Sequence, residues 1–360
     1  MSVFSHKEFD QHEQVSFFQC PQTGLRAIIA VHNTHLGPAL GGCRMWAYEN
    51  DEQALNDVLR LSRGMTYKSA ITGLPLGGGK SVIIGDSRKI KTADLMKAMG
   101  RAVDTFGGRY IIAEDVGTTV EDMVNIHAST EHVVGIPMEG ESHGSGDPSP
   151  TTALGVYTGL KAAARLRLGK DNLQGVKVAV QGLGNVGYNL CKLLAADGAV
   201  LSVTDVQVDK LEMAKAEFGA TVVGLNEIYD VDADIFAPCA LGAILNDDTL
   251  PRLKAQVVAG AANNQLAEAR HGDVLRGMNV LYAPDYVINA GGIISVYYEY
   301  EARKTGASYN REKVLAHVAK IADTVDLVTK RAQQENISTA KAADCIAEQR
   351  FKGEKACKAA

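Results

Sequence analysis

Apolar positions along the chain alternate between short continuous runs and a spacing of three to four, as in a fold where strands and helices follow one another. Leu25–His32 (LRAIIAVH) is β-branched and apolar and predicts a buried strand. From Asp51 to Lys68 the apolar residues Ala54, Leu55, Val58, Leu59, Leu61 and Met65 fall near the helical period, with acids early (Asp51, Glu52) and Arg60 and Arg63 late. Lys68 lies at or just beyond the end of that helix. KSVIIGD predicts a short strand starting at Lys80, residues 92–106 a second helix, and RYIIAED a strand with Asp115 at its C-terminal end. EGESHGSGDPSP (139–150) has no large apolar residue and predicts a loop and domain junction, followed by a helix in TTALGVYTGLKAAARLRL. VKVAV and VLSVT read as parallel-type strands flanking a helix, and further short strands occur in DADIFAPCALGAILN and QVVAGAANNQL. Ile293 and Val296, three apart, share one face of an apolar helix opened by Gly291–Gly292, and from Asn310 the pattern is helical and charged. No internal repeat is present.

Length and composition narrow this picture. A chain of 360 residues exceeds what one hydrophobic core usually organises, so two domains are expected. A net charge of −5 offers no basic field for nucleic acid or anionic lipid. No apolar run approaches a membrane span and no signal peptide is visible at MSVFSHKEFD, so a cytoplasmic protein without membrane or nucleic-acid partners is expected. The six cysteines form no CxxC pair and read as reduced thiols; no metal site is expected. His6 and His12, near the chain terminus, read as solvated.

The candidate chemistry begins at Gly64–Lys80, where two lysines, Lys68 and Lys80, stand either side of a glycine-rich turn (Gly77, Gly78, Gly79). Glycines admit close approach of a ligand. Two ammonium groups held together disfavour each other's charge, so one suits a base and the other a carboxylate grip. Upstream, Gly41 and Gly42 expose backbone N–H groups beside Leu40, and Arg44 reads equally as an anion holder or a structural ion pair. Asp115 at a strand end reads as a cleft residue, a helix N-cap or a surface acid.

The most specific stretch is VKVAVQGLGNVGYNLCKLLAADGAVLSVTD. Gly182, Gly184 and Gly187 form G-x-G-x-x-G between a strand and a helix, with Asn185 and Val186 inside the motif. Asp205 ends the next strand, 23 residues after Gly182. The order predicts a dinucleotide site, with pyrophosphate at the helix N-terminus and an acid that binds ribose hydroxyls and repels a 2′-phosphate, hence NAD. Asn263 and Asn264 read equally as nicotinamide contacts and as turn residues.

With these residues assembled, the chain resembles the amino-acid dehydrogenases of the glutamate/leucine/phenylalanine/valine family. LGPALGGCRMW, LRLSRGMTYK, LPLGGGK, AEDVGTT, GDPSPTTALGVY, AVQGLGNVG, IFAPCALGAILN, AGAANNQL and APDYVINAGG carry the likeness, from about residue 10 to about 350. The resemblance implies an α/β fold of two domains, a substrate domain (1–139) and a Rossmann NAD domain (140–330), with the active site in the cleft between them and a C-terminal segment (331–360) packing back on the first. It implies that Lys68 binds the substrate α-carboxylate, Lys80 is the general base and Asp115 shuttles protons. Asn264 would contact substrate and nicotinamide, and Gly41 and Gly42 would floor the carboxylate end. Leu40, Ala113, Ile293 and Val296 would wall the side-chain pocket, with Met65 also on the substrate side. Their aliphatic character suits a branched side chain, so the implied reaction is NAD-dependent oxidative deamination of leucine, valine or isoleucine to the 2-oxo acid and ammonia. Alternatives are an enzyme preferring valine, one for aromatic amino acids, or an NAD-binding sensor without turnover. A homo-oligomer, often an octamer, is implied. Cys43 and Ser295 depart from the Thr and Asn expected there, and Cys43 adjoins the glycine pair.

Overall fold

The computed structural model describes residues 3–136 and 147–353. Within them the chain divides into two compact units, the first taking residues 3–136, 296–309 and 350–353, the second 147–295 and 310–349. The expected junction near 139/140 lies outside the described residues. The division differs from the three expected blocks at the C-terminal end. The helix Ile321–Glu335 runs through the expected boundary at 330/331 and ends only at Asn336, in the left-handed region at φ 54°.

Five strands build the first unit: β1 (Gln14–Cys20), β2 (Leu25–Asn33), β3 (Ala39–Trp46), β4 (Gly77–Ile84) and β5 (Tyr110–Glu114). Their order is β1-β2-β4-β3-β5, with β1 and β4 antiparallel to β2, and β3 parallel to both β4 and β5. Alternate residues of β2 face opposite layers. Leu25, Ala27, Ile29 and Val31 join a core with Met96, Met99 and Val103 of the helix Ala93–Asp104. Ile28 and Ala30 pack with Ala54, Val58 and Leu59 of the helix Asp51–Ile71. Both faces are covered from Ala27 to Val31, so that stretch of β2 reads as an unbroken apolar run.

The helix signals hold at residue level. Asn50 caps Asp51–Ile71 by accepting from Gln53 N (3.0 Å), and Thr92 caps the next long helix by accepting from Leu95 N (3.2 Å). Lys68 falls inside the last turn of its helix. Two expectations fail here. Gly77, Gly78 and Gly79 are not a turn but the first residues of β4, each bare against a different close neighbour: Asn33 O beside Gly77, the helix backbone at Thr66 beside Gly78 and the Tyr110 ring beside Gly79. His6 and His12 are buried, not solvated, since the N-terminal segment packs on the helix Asp51–Ile71; His12 Nε2 lies 3.0 Å from both Leu59 O and Ser62 Oγ.

In the second unit, β6 (Lys177–Gln181), β7 (Val200–Thr204), β8 (Thr221–Val222), β9 (Ile235–Pro238), β10 (Val257–Val258) and β11 (Leu281–Tyr282) form a wholly parallel sheet. Its order, β8-β7-β6-β9-β10-β11, is that of a doubly wound dinucleotide fold, in which the strand order reverses between β6 and β9 while all strands stay parallel. Helix Ser149–Leu168 opens the unit; a Cβ at Gly159 would lie 2.2 Å from Ile288 Cγ2, so its glycine is what lets it meet the short helix Asp285–Ile288.

Among the described residues no helix is long and apolar enough to cross a membrane. Among the described residues, Cys20, Cys43, Cys191 and Cys239 are free thiols.

Candidate active site

The first unit gathers its chemistry on one face of three parallel strands. The register pairs Leu40 with Gly78 and Ile111, and Gly42 with Ala113. Lys80 pairs with Ala30, which faces the helix Asp51–Ile71. Strand alternation therefore turns Leu40, Gly42, Gly78, Lys80 and Ala113 toward that helix. Gly78 is where the helix rests: a Cβ there would lie 2.0 Å from Thr66 N. This contact sets the turn carrying Met65 and Lys68, both half-buried, against the strand that carries Lys80. Ser69 Oγ donates to Gly77 O (3.2 Å) and holds the crossing.

Lys80 is buried, and its Nζ lies 2.8 Å from Asp115 Oδ2. Gly42 lines this pair; a Cβ added to it would lie 2.7 Å from Asp115 Cβ and 3.1 Å from Lys80 Nζ. Gly41 points to the opposite face, where a Cβ would strike Gly79 O at 1.7 Å, and its carbonyl accepts from the Tyr110 hydroxyl (2.9 Å). Its missing side chain thus serves the approach of β3 to β4. Asp115 begins the loop after β5, and Thr118 shapes that loop by accepting from Asp115 N (3.0 Å) and donating to Cys43 O (2.9 Å).

Burial pushes the Asp115 carboxyl up, but the charges of Lys80 and Arg44 outweigh it and leave the pKa lowered to about 2. The Arg44 contact (Nε to Asp115 Oδ2, 3.1 Å) was one of two readings left open in the sequence, and the structure resolves it as an ion pair. Arg44 Nη1 also donates to Asp57 Oδ2 (2.9 Å), which accepts from the Tyr48 hydroxyl (2.7 Å). Sequence reasoning missed Asp57 and Tyr48 altogether, because an acid and a phenol on separate elements carry no local signal. Cys43 faces the core away from Lys80, and burial raises its thiol to about 12, which makes it an inert packing residue.

In the second unit β6 leads into the glycine motif. Gly182 takes φ 100°, and a Cβ there would meet Ala240 at 2.7 Å, so only glycine makes this turn. A Cβ at Gly187 would meet Gly182 O at 2.1 Å, whereas one at Gly184 would meet nothing within 4 Å. Gly187 thus serves helix–strand packing, and Gly184 leaves space at the N-terminus of the helix Asn185–Ala196, which has no side-chain cap. The two oxygens of Asp205 accept from Leu183 N (2.5 Å) and Gln207 N (2.8 Å), which aligns the carboxylate with the glycine loop. At the ends of β6 and β7, the buried Gln181 Oε1 and Thr204 Oγ1 have no hydrogen-bond partner among the described residues. Space at Gly184, an uncapped helix start, an aligned carboxylate and orphaned polar atoms fit a dinucleotide. Asn263 and Asn264 are both exposed, Asn264 at φ 52°. Asn263 Oδ1 accepts from Asn289 Nδ2 (2.8 Å). On the helix Gly291–Thr305, Ile293 and Ser295 are buried and Val296 is half-buried.

Known proteins resemble this chain over nearly its whole length. Residues 12–132 match the family model described as Glu/Leu/Phe/Val dehydrogenase, dimerisation domain, and residues 144–209 and 202–357 match Glutamate/Leucine/Phenylalanine/Valine dehydrogenase. The chain belongs to this dehydrogenase family. The leucine dehydrogenase of Bacillus cereus is 54% identical over 352 residues, 98% of this chain and 94% of the relative. That of Geobacillus stearothermophilus is 54% identical over 351 residues, with the same coverage. Among solved structures, the L-tryptophan dehydrogenase of Nostoc punctiforme superposes with a TM-score of 0.81 at 46% identity, covering 96% of this chain and 97% of that one. The family and the α/β fold expected from the motifs are thereby borne out, and the chain is an oxidoreductase that works with a nicotinamide dinucleotide.

Proposed function

We propose that the protein catalyses the reversible oxidative deamination of L-leucine, with valine and isoleucine also accepted, to the 2-oxo acid and ammonia. The observation that carries this reading is the buried Lys80–Asp115 pair over Gly42, in a chain more than half identical to leucine dehydrogenases. A bound nicotinamide supplies the hydride-accepting chemistry at the substrate α-carbon. Gly182, Gly184, Asn185, Val186, Gly187 and Asp205 would hold the dinucleotide, with Asn264 toward its nicotinamide end. NAD is favoured over NADP because a 2′-phosphate would meet the Asp205 carboxylate, and Val206, Gln207 and Val208 beyond it provide no cation.

The chain's own groups do the rest. Lys68 grips the α-carboxylate. Lys80 Nζ removes a proton from the water that attacks the oxidised carbon, and the Asp115 oxygen 2.8 Å from Nζ carries protons between that amine and the departing ammonia. Leu40, Met65, Ala113, Ile293 and Val296 are all apolar residue types, a set that suits a branched aliphatic side chain and includes no cation for glutamate. We further propose a cytoplasmic homo-oligomer, in line with the dimerisation domain named by the family model and with octamers as the expected form.

The test is NADH formation from NAD with leucine, valine, isoleucine, phenylalanine, tryptophan and glutamate, each read by absorbance. Branched aliphatic substrates should turn over fastest. Lys80→Ala should abolish turnover with NAD binding kept, and Lys68→Ala should chiefly raise the leucine KM. Fastest turnover on tryptophan or phenylalanine, or near-normal kcat in Lys80→Ala, would refute the assignment.

A further inference from the structure

We propose that Arg44 is a positioning residue for the reaction, a two-armed cation that clamps Asp115 to the helix bearing Lys68 through Asp57. The proposal rests on the reading of Asp115 as proton carrier. Arg44 lies on β3, on the same face as Gly42, and reaches in two directions. Nε meets Asp115 Oδ2 at 3.1 Å, and Nη1 meets Asp57 Oδ2 at 2.9 Å. Asp57 belongs to the helix Asp51–Ile71, whose last turn holds Lys68. A planar guanidinium can satisfy two carboxylates at a fixed separation and angle, which an ammonium cannot.

The chain of contacts has a direction. Tyr48 OH donates to Asp57, Asp57 fixes Arg44, and Arg44 and Lys80 both donate to one oxygen of Asp115. All of the Arg44, Asp57 and Asp115 side chains are less than a quarter exposed, so the charges are poorly screened. The groups that face the Asp115 carboxylate are Lys80 from β4, Arg44 from β3 with Asp57 and Tyr48 behind it, and the Val116 N–H in its own loop, while Thr118 Oγ1 meets Asp115 only at its backbone. Two consequences follow. Geometrically, the carboxylate is held so that Oδ2 stays on Lys80 Nζ. Electrostatically, a permanent cation beside the Lys80–Asp115 pair opposes addition of a proton to it, and removing that cation raises the pair's proton affinity whichever member takes the proton.

The experiment measures kcat and kcat/KM for leucine oxidation against pH in the full-length enzyme, for Arg44→Gln, Arg44→Lys, Asp57→Asn and Asp115→Asn, with NAD affinity and thermal unfolding in parallel. Arg44→Gln should lower kcat about tenfold or more, with little change in NAD affinity, and move the acid limb of kcat/KM up by about one pH unit. Arg44→Lys should leave that limb in place, because the charge remains, yet lose kcat because one ammonium cannot span both carboxylates. Asp57→Asn should lower kcat and move the limb the opposite way, since it removes a negative charge behind Arg44. A purely structural role would reduce melting temperature and leave every limb unmoved; that result, or full kcat in both Arg44→Lys and Asp57→Asn, overturns the proposal. Should Arg44→Gln fail to fold, the other two variants carry the test. Near-normal turnover in Asp115→Asn would instead overturn the reading of the site itself, which keeps the two failures apart.

Discussion

A single methyl group added at Gly42 should separate catalysis from folding in this protein. The Cβ of Gly42→Ala would lie 2.7 Å from Asp115 Cβ, 2.8 Å from Glu114 O and 3.1 Å from Lys80 Nζ. Ordinary contacts between such atoms sit near ~3.5–4.0 Å, so the strand, the Asp115 loop or the lysine must yield by about 1 Å. Glu114 O is backbone and tied to the end of β5, so the Lys80–Asp115 pair is what moves. A displacement of about 1 Å at reacting groups costs on the order of 100-fold in rate, and overpacking of this size costs about 1–3 kcal/mol of stability. The assay pairs NADH formation at saturating leucine with urea unfolding. Kcat should fall on the order of 100-fold while the protein still folds cooperatively and binds NAD. Gly64→Ala is the control: it is exposed in the middle of the same helix as Lys68, its Cβ meets nothing within 4 Å, and it should gain about 0.5–1 kcal/mol with kcat unchanged. Near-normal turnover in Gly42→Ala would refute the claim that the reacting pair lies directly over this residue.

Two further outcomes follow from burial and charge. His12 has its pKa lowered to about 4, by burial first and then by the neighbouring His32. Its Nδ1 accepts from Asp10 N (3.2 Å), so a proton there also breaks a hydrogen bond. The unfolded chain takes up this proton near pH 6.5 and the folded chain does not, so stability present above pH 6.5 should fall by about 3 kcal/mol as pH drops toward 4. Urea titrations at several pH values should show this loss shrinking in His12→Asn; an unchanged slope would exclude His12 as its source. At the dinucleotide site, Asp205→Ser should weaken NAD binding by about 1.5–3 kcal/mol, as expected for losing a charged acceptor, and improve binding of NADP relative to NAD. Calorimetric titration of both dinucleotides checks it, and an unaltered NAD/NADP ratio would place the discriminating group elsewhere.

Much of the fold was legible because its signals are local. β2 reads as a strand since both its faces are covered, and the helix Asp51–Ile71 announces itself by period, cap and charge. The glycine motif was legible for a similar reason: strand, turn, helix and terminal acid are contiguous, and Gly182 and Asp205 lie where that order puts them. The triple glycine was misjudged as a turn, since a run of glycines says only that bare backbone is needed. Whether bending or the close crossing of a helix requires it depends on Thr66, a residue 12 positions earlier than Gly78. The buried state of His6 and His12 was equally hidden, because the surface that covers them belongs to a helix beginning about 40 residues later.

The sequence by itself determined the inventory: two lysines, an acid, glycines at intervals, a carboxylate just beyond β7, and enough motifs to name a family. Tertiary structure alone decided the pairings. Lys80 meets Asp115, and Arg44 ties Asp115 to Asp57, because three parallel strands in a register set by long-range hydrogen bonds bring alternate residues to one face. Local propensity depends on neighbours a few residues away. An ion pair joining positions 44, 57, 80 and 115 depends on strand order, and strand order follows from how the whole unit buries its apolar faces.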